Sequence, residues 1–194
     1  YKSTDGKIVT PYAADVFGAN IASNIYANGE GIITFDGDVT NVGTAAFKGC
    51  STLTEIILPN SVIDIETQAF FSCSNLKLFY GKFASEDNRC LVVKGELKCL
   101  SPQVEGNYTL PSSITSLGRV SLSGFRQRVS ITLPNSVISL SDVCCTSTYN
   151  VEKFYGKFAS ADNLALINDN TLYGVAVYGQ TAYSIPKGVT NIME

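Results

Sequence analysis

Cysteines and carboxylates are the side chains whose types and spacing invite a chemical interpretation, because the chain contains no histidine. The lack of histidine removes the commonest general base, the Ser-His and Cys-His nucleophile pairs and the commonest metal ligand. Of the six cysteines, only the adjacent Cys144 and Cys145 approach a metal-ligand spacing. No G-x-S-x-G, Walker or Rossmann glycine pattern occurs. The sequence therefore predicts no catalytic residue, no metal site and no cofactor.

Cys90 and Cys99 lie on either side of a predicted hairpin. Two short apolar runs are separated by Lys94 and Gly95, a pair typical of a two-residue hairpin turn. Counting outward from that turn places Cys90 directly opposite Cys99, where side chains lie close together. A cross-strand disulfide and an unbonded facing pair are both compatible with this placement.

The acidic residues favour turns over catalysis or metal binding. Asp36 and Asp38 flank a glycine, but no calcium-binding spacing continues from them. Asp87 follows a glutamate, whereas its repeat equivalent Asp162 follows an alanine, so only the second carboxylate recurs. We therefore expect Asp87 and Asp162 to cap a short turn.

Composition limits the partners. The formal net charge is −3, from 14 Lys+Arg and 17 Asp+Glu, and the basic residues form no cluster. A nucleic-acid surface needs a basic face, so that class of partner is disfavoured. The chain also has no apolar run near the roughly 18 residues that a membrane span needs. With 45% hydrophobic residues it can build a core.

The chain repeats itself with a period of 75 residues. Leu58-Pro-Asn-Ser-Val-Ile recurs from Leu133, and Phe79-Tyr-Gly-Lys-Phe-Ala-Ser recurs from Phe154. Between residues 58–85 and 133–160, 15 of 28 positions are identical. Within the long period lies a unit of about 23 residues, and every second unit carries an insert. Equivalent positions are Phe35, Leu58, Leu110, Leu133 and Ile185.

Each unit has the pattern of one solenoid coil. The alternation of Leu53, Ile56 and Leu58 predicts a strand, which ends at the following proline. Phe70 and Cys73 have the spacing of one helical or 3₁₀ turn that points both side chains inward. A single coil cannot bury its own faces, so the core forms by stacking coils.

The unit L-P-x-S-V-x-x-I-x-x-x-A-F-x-x-C-x-x-L resembles the BspA-type (Treponema pallidum-type) leucine-rich repeats. The inserted F-Y-G-K-F-A-S segment resembles those in surface proteins of gut Bacteroides. The similarity covers roughly residues 33–194. It implies a β-rich solenoid, α/β by class, with a right-handed coil. The third and fourth units depart from the pattern, for example at Leu122, Phe125, Cys144 and Cys145, which predicts irregular coils there.

The remaining segments are interpreted as a cap and two flaps. Residues 1–32 do not follow the repeat, and Asn28-Gly29 predicts a hairpin, so we expect an N-terminal cap. The inserts at about 80–109 and 155–184 are predicted to be β-hairpin flaps that leave the solenoid and rejoin it. The second flap is expected to turn at Asp169-Asn170.

Outward positions of the predicted strands provide the candidate binding surface. The sheet face of a solenoid is an extended surface suited to large partners, and tyrosine is favoured at interfaces. An alternative is that Tyr80 and Tyr155 pack the flaps onto the solenoid. The candidate residues are Glu55, Ile57, Tyr80, Lys82, Phe83, Thr132, Lys153, Tyr155, Lys157 and Phe158.

The sequence as a whole predicts a non-enzymatic recognition module. The resemblance implies a secreted protein or one attached to the bacterial surface, including attachment by a lipid at a removed N-terminus. Its predicted ligand is an extracellular protein or a glycan. A structural spacer within a longer surface protein is the alternative.

Overall fold

The computed structural model describes residues 1–193; Glu194, the last residue of the predicted repeat region, lies outside the described residues. The chain forms a β-solenoid of about seven turns, with no helix among the described residues. Its strands are β1 (Lys2–Ser3), β2 (Ile21–Ala27), β3 (Glu30–Phe35), β4 (Asn41–Val42), β5 (Leu53–Ile57), β6 (Asp64–Ile65), β7 (Leu78–Tyr80), β8 (Cys90–Val93), β9 (Glu96–Leu100), β10 (Gly106–Thr109), β11 (Ser116–Leu117), β12 (Leu122–Ser123), β13 (Val129–Leu133), β14 (Ser139–Leu140), β15 (Cys145–Thr146), β16 (Val151–Gly156), β17 (Ala165–Asn168), β18 (Thr171–Val175) and β19 (Asn191–Ile192).

Five strands, β5, β7, β10, β13 and β16, stack in the register that the 23-residue period predicts. In one sheet β5 pairs in parallel with β7, with Glu55 beside Leu78. In a second sheet β10, β13 and β16 are parallel, with Ser130 beside Lys153. Inward side chains such as Phe79 are fully buried. The predicted strand of each coil is therefore confirmed.

The inserts form hairpins as predicted, but the hairpins do not leave the solenoid. β8 and β9 are antiparallel, and β9 also pairs in parallel with β11, with Leu97 beside Leu117. The second insert repeats this arrangement, with Leu172 beside Ile192. Each insert therefore adds a strand to a solenoid sheet, and the predicted flaps are corrected to coils of the solenoid.

The predicted helical turns are absent from the described residues. The two stacked turns that carry Phe47 and Phe70 contain Ala45 and Gln68, whose φ angles are 59° and 61°. A left-handed residue cannot continue a right-handed helical turn. The Phe47 N–H donates to the oxygen of Ala69 in the next coil at 2.7 Å. Single turn bonds remain within each coil, such as that from the Cys73 N–H to the Phe70 oxygen at 3.2 Å, and hydrogen bonds between coils add to them.

The coils that depart from the repeat pattern are well packed. Leu122, Phe125 and Cys144 are buried, and β12 pairs in parallel with β15. The predicted irregularity is one of backbone form, because this part of the coil pairs as strands instead of forming the turn seen in the first block.

The N-terminal segment pairs with strands of the solenoid sheet, so the prediction of a separate N-terminal cap is not supported. The β2–β3 hairpin turns at Asn28-Gly29 as predicted. β1 lies between β3 and β5: Tyr1 exchanges both backbone hydrogen bonds with Gly31, and Lys2 pairs with Glu55. The first strands thus belong to the solenoid sheet.

Two apolar clusters fill the solenoid, one in each 75-residue block. An aromatic row runs through the first cluster, with neighbouring ring centroids 5.2–5.7 Å apart. The first insert joins the two clusters, because Leu91 packs in the first and Cys90 in the second. The row consists of Phe35, Phe17, Phe47, Phe70 and Phe79.

Candidate functional site

Three of the predicted binding residues form one patch on β5 and β7. Ile57 lies beside Tyr80 in the parallel ladder, and Glu55 lies two residues before Ile57 on the same strand face. The Ile57 side chain is 67% exposed. The Lys2 Nζ donates a hydrogen bond to Glu55 Oε2 at 3.1 Å, and this bond raises the pKa of Lys2. We call Glu55, Ile57 and Tyr80 the first patch.

The second patch, Thr132, Lys153 and Tyr155, occupies the equivalent place on β13 and β16. Thr132 lies beside Tyr155 in the ladder. The Lys153 Nζ donates to the backbone oxygen of Asp162 at 3.2 Å, so this ammonium is tied to the insert loop. The two patches lie in different sheets. The structure therefore brings the predicted residues together as two groups.

The lysine–phenylalanine pairs lie in the loops that follow each patch. The Lys82 Nζ lies 4.9 Å from the Phe83 ring centroid, and the Lys157 Nζ lies 5.2 Å from that of Phe158. Both rings are half-buried and pack against the apolar clusters. These rings hold the insert loops to the solenoid, and only the lysines are exposed.

The two tyrosines differ in exposure. Tyr155 is 39% exposed, whereas Tyr80 is half-buried. Tyr80 lies beside the Lys2–Glu55 pair, and its proximity is among the effects that raise the pKa of Lys2. In the second block β10 takes the place beside β13, and Asn107 lies beside Ser130 where Lys2 lies beside Glu55 in the first block. Tyr155 is therefore the more accessible ring.

The prediction that Cys90 lies directly opposite Cys99 is wrong. A bulge between Leu91 and Val92 shifts the ladder, so Cys90 lies opposite Leu100 and Cys99 opposite Leu91. Both cysteines are free thiols, and they pack against different apolar clusters. Burial raises the pKa of each thiol to about 12. Both thiols are thus protonated at neutral pH and behave as small apolar groups.

Asp87 caps the insert loop, as the sequence predicts. Its Oδ1 accepts from the Ser85 hydroxyl at 2.6 Å and from the Arg89 N–H at 3.1 Å, while Oδ2 accepts from the Tyr108 hydroxyl at 2.8 Å. Burial acts to raise the pKa of Asp87, but these hydrogen bonds outweigh it and hold the pKa below its usual value. Asp162 caps the second loop through Ser160. The carboxylates of Asp87 and Asp162 therefore hold the insert loops in place through these hydrogen bonds.

We expect Asp87→Asn to lower the free energy of unfolding at pH 7 by about 1 kcal/mol, below the usual value for a charged hydrogen bond because the side chain is exposed. A carboxyl whose folded pKa is depressed stabilises the protein above its unfolded pKa of about 3.9 and loses that effect as the pH falls through the folded pKa. Urea unfolding of both proteins at pH 7 and pH 3 measures this. An equal difference at both pH values would contradict it.

A cleft that the sequence did not reveal lies beside the first patch. It has a volume of about 520 Å³ and opens between β3 and β5, next to Tyr1. Ile33 and Phe35 line one wall, and Ile57 lines the other. The only sequence signal is the adjacent Ile32 and Ile33, which place apolar side chains on both faces of β3.

The described residues show no arrangement for a metal or a membrane span. Within residues 1–193, no three Cys, Asp or Glu side chains are grouped to hold a metal ion. The Asp36 carboxylate instead accepts the N–H and side-chain amide of Asn20, each at 2.8 Å. Across the same residues, no helix has the length and apolar character to cross a bilayer.

Several solved structures are similar to this chain. A leucine-rich cell surface protein from Faecalibacterium prausnitzii is 25% identical, with a TM-score of 0.47, and the match covers 53% of this chain and 29% of that one. A leucine-rich repeat protein from Eubacterium ventriosum is 16% identical (TM-score 0.45; 62% and 40% covered). One from Bacteroides ovatus is 16% identical (TM-score 0.30; 89% and 52% covered). The chain thus spans less than two thirds of each.

The sequence also matches a repeat family over most of its length. None of the curated proteins matches the chain. Residues 20–85 and 104–194 match six copies of the BspA type leucine rich repeat region. The match begins within the segment predicted as a cap, and it includes both patches and the strands that carry them. The chain therefore belongs to the BspA-type leucine-rich repeat family.

Proposed function

We propose that this protein is a non-enzymatic recognition module, secreted or displayed on the bacterial cell surface, that binds an extracellular protein or glycan through its solenoid sheet. BspA-type repeats are a non-enzymatic kind of protein, and leucine-rich repeat proteins commonly bind proteins. The name of the Faecalibacterium relative, a cell surface protein, supports the location. Attachment by a lipid at a removed N-terminus is part of the same proposal.

One observation carries this proposal: a tyrosine recurs at the same outward position of each block, beside exposed sheet residues. The packing of Phe83 and Phe158 already holds the loops in place, so loop packing does not require Tyr155, which is 39% exposed. Tyrosine supplies a large contact area at small entropic cost and is enriched at interfaces.

We expect a Tyr80→Ala/Tyr155→Ala double variant to lose ligand binding at least tenfold, because aromatic anchors dominate interface energetics. The measurement is binding of purified protein to arrays of extracellular-matrix proteins and glycans, followed by titration of each ligand found. An Ile138→Ala variant is the matched control, since Ile138 is 75% exposed and outside both patches.

The alternative function is a structural spacer, and it predicts a different outcome. A spacer would bind nothing selectively on either array, and the double variant would behave like the wild type. Tyr80 is half-buried, so for this ring, unlike that of Tyr155, a role in packing the insert loop onto the solenoid is favoured. Single variants separate the two rings: in a recognition module, Tyr155→Ala should cause the larger loss of binding.

A further inference from the structure

A second cleft lies among the turns of the solenoid, where the first 75-residue block meets the second. It has a volume of about 240 Å³. Residues 68–74 form one wall, and residues 120–126 with 147–150 form the other. None of the candidate binding residues of the sheet lines this cleft. We call it the turn cleft.

The first insert creates the turn cleft, because it crosses this region as a strand. In the turn 68–74 the chain bends at Gln68 and Ser72, whose φ angles are 61° and 62°. β9 instead continues to Leu100, which is buried and whose N–H donates to the Ser121 oxygen at 3.0 Å. The strand therefore forms the floor between two walls made of turns.

Polar side chains from several coils meet at the turn cleft. Gln68, Ser74 and Ser147 line it, and within residues 1–193 their side chains make no hydrogen bond to the protein. The Asn150 side-chain amide donates to the Phe125 oxygen at 2.8 Å, which fixes it and leaves its oxygen as an acceptor. A few convergent polar groups above an apolar floor are typical of a ligand site.

Two aromatic rings complete the lining. Phe71 is half-buried on one wall, and Tyr149 is 73% exposed on the other. The Tyr149 hydroxyl makes no hydrogen bond to the part of the protein that the structure describes. An aromatic ring offers a flat apolar surface, and the hydroxyl of a tyrosine adds a polar group beside it. Such a lining matches a ligand that is apolar on one face and polar at its edges.

Lys98 contributes little free charge to the turn cleft. Its ammonium is paired with Glu96 Oε2 at 2.8 Å, and its side chain is only 12% exposed. It also lies close enough to Glu66 for the two charges to interact. Two carboxylates therefore balance this ammonium.

Arg126 is the charged group that the turn cleft leaves unpaired. It is exposed, and within residues 1–193 it makes no ion pair. Glu105 and Glu152 lie in neighbouring coils but do not line the cleft, and Glu152 faces Arg128 at 4.0 Å. A guanidinium binds a carboxylate through two parallel hydrogen bonds. The lining therefore favours a ligand that carries one carboxylate.

The size and backbone of the turn cleft favour a sugar over a peptide. Its volume lies below the roughly 300–1,000 Å³ of sites for drug-sized ligands, so it holds one small unit. The Gly49 N–H donates to the Phe71 oxygen, and the Arg126 N–H donates to the Pro102 oxygen, each at 2.8 Å. These wall residues therefore offer no edge to an added strand. Sugar hydroxyls, which both donate and accept, match the serine hydroxyls and the amides.

We propose that the turn cleft binds one hexuronate unit of an acidic polysaccharide. Arg126 donates to the carboxylate, the serines and amides bond to the hydroxyls, and the Tyr149 ring packs on the apolar face of the sugar. This site goes beyond the proposed function, since it lies outside both patches and has a ligand of its own. One small unit binds weakly, with a Kd on the order of millimolar, so it does not supply the tightest ligand on the arrays.

The test is an NMR titration of the whole chain with the methyl glycosides of glucuronate and galacturonate. Methyl glucoside and methyl galactoside are the neutral counterparts, which lack only the carboxylate. We expect at least one uronate to bind tenfold or more tightly than its counterpart and to shift the amide signals of Gly124 and Ser147, which line the cleft.

Matched variants locate the two contacts. Arg126→Gln should abolish the preference for the uronate, whereas Arg128→Gln removes the same charge two residues away, outside the lining, and should preserve it. Tyr149→Ala should weaken uronate binding at least fivefold. Tyr12→Ala, which removes a ring that is 70% exposed and outside the cleft, should leave it unchanged.

Equal binding of uronate and neutral sugar, or an equal loss in Arg126→Gln and Arg128→Gln, would overturn the inference. So would binding of N-acetylglutamate as tight as that of the uronate, because the site would then accept a peptide carboxylate. The Tyr80→Ala/Tyr155→Ala double variant should bind the uronate like the wild type. If neither uronate binds while an array ligand still depends on Tyr155, only this inference falls and the proposed function stands.

Discussion

Replacing Phe79 with alanine should lower the free energy of unfolding by about 3–5 kcal/mol, the range for a buried phenylalanine. Phe79 is fully buried at the end of the aromatic row, 5.7 Å from the Phe70 ring centroid. Its loss leaves a cavity that rigid strands on both sides cannot close. Phe154, its equivalent in the second block, is also fully buried and should show a loss of similar size.

Urea unfolding measures this effect, with Ile138→Ala as a control that should stay within about 0.5 kcal/mol of wild type because its side chain is exposed. Since the two apolar clusters are distinct, Phe79→Ala should speed hydrogen exchange in the first block more than in the second. A loss below about 1 kcal/mol would mean that Phe79 is not in the core.

The second large effect is expected at Gly81 and Gly156, the glycines of the repeated Phe-Tyr-Gly-Lys-Phe-Ala-Ser segment. Their φ angles are +113° and +78°, a region that favours glycine. A Cβ on Gly81 would lie 2.5 Å from the Leu58 oxygen, and one on Gly156 would collide with the Leu133 oxygen. These obstacles are backbone atoms, so they cannot move aside as a side-chain end would.

We therefore expect Gly81→Ala and Gly156→Ala each to cost about 3 kcal/mol or more, from backbone strain and overpacking together. Gly124 is the matched control, because its φ is +69° but a Cβ there would meet nothing within 4 Å. Gly124→Ala should cost only about 1 kcal/mol, from strain alone. Thermal unfolding of the three variants separates backbone strain from overpacking. Equal losses of stability in all three would mean that the contact between the added Cβ and the backbone oxygen contributes nothing.

The repeat spacing predicted which strands pair, because it is a property of many residues at once. A 23-residue offset aligns Glu55 with Leu78 and Ser130 with Lys153, and both pairs form. The hairpin turn at Lys94 was predictable for a similar reason, since a Gly follows it and a short run with apolar residues lies on each side.

Features decided by single residues could not be predicted. One bulge between Leu91 and Val92 moves Cys90 away from Cys99, and a shift of one residue reverses which face a side chain occupies. The predicted helical turns do not form, because Ala45 and Gln68 adopt positive φ angles. Neither alanine nor glutamine is a residue type that favours positive φ.

The cleft beside the first patch has no signature in the sequence. β1 contains two residues, too few to show any periodicity, so nothing indicated that it lies between β3 and β5. The predicted outward positions Glu55 and Ile57 lie at the edge of this cleft, but no sequence pattern indicates the cleft beside them. Two of the ten candidate residues, Phe83 and Phe158, instead pack inward.

A hydrogen-exchange footprint of the chain, with the ligand that binds most tightly on the arrays, would show whether the solenoid sheet is the binding surface. We expect slower exchange in β5, β7, β13 or β16 around Ile57 and Tyr155. The turns that carry Phe47 and Phe70 should exchange as in the free protein. Protection confined to those turns, with none on the sheet, would show that the ligand does not bind the solenoid sheet.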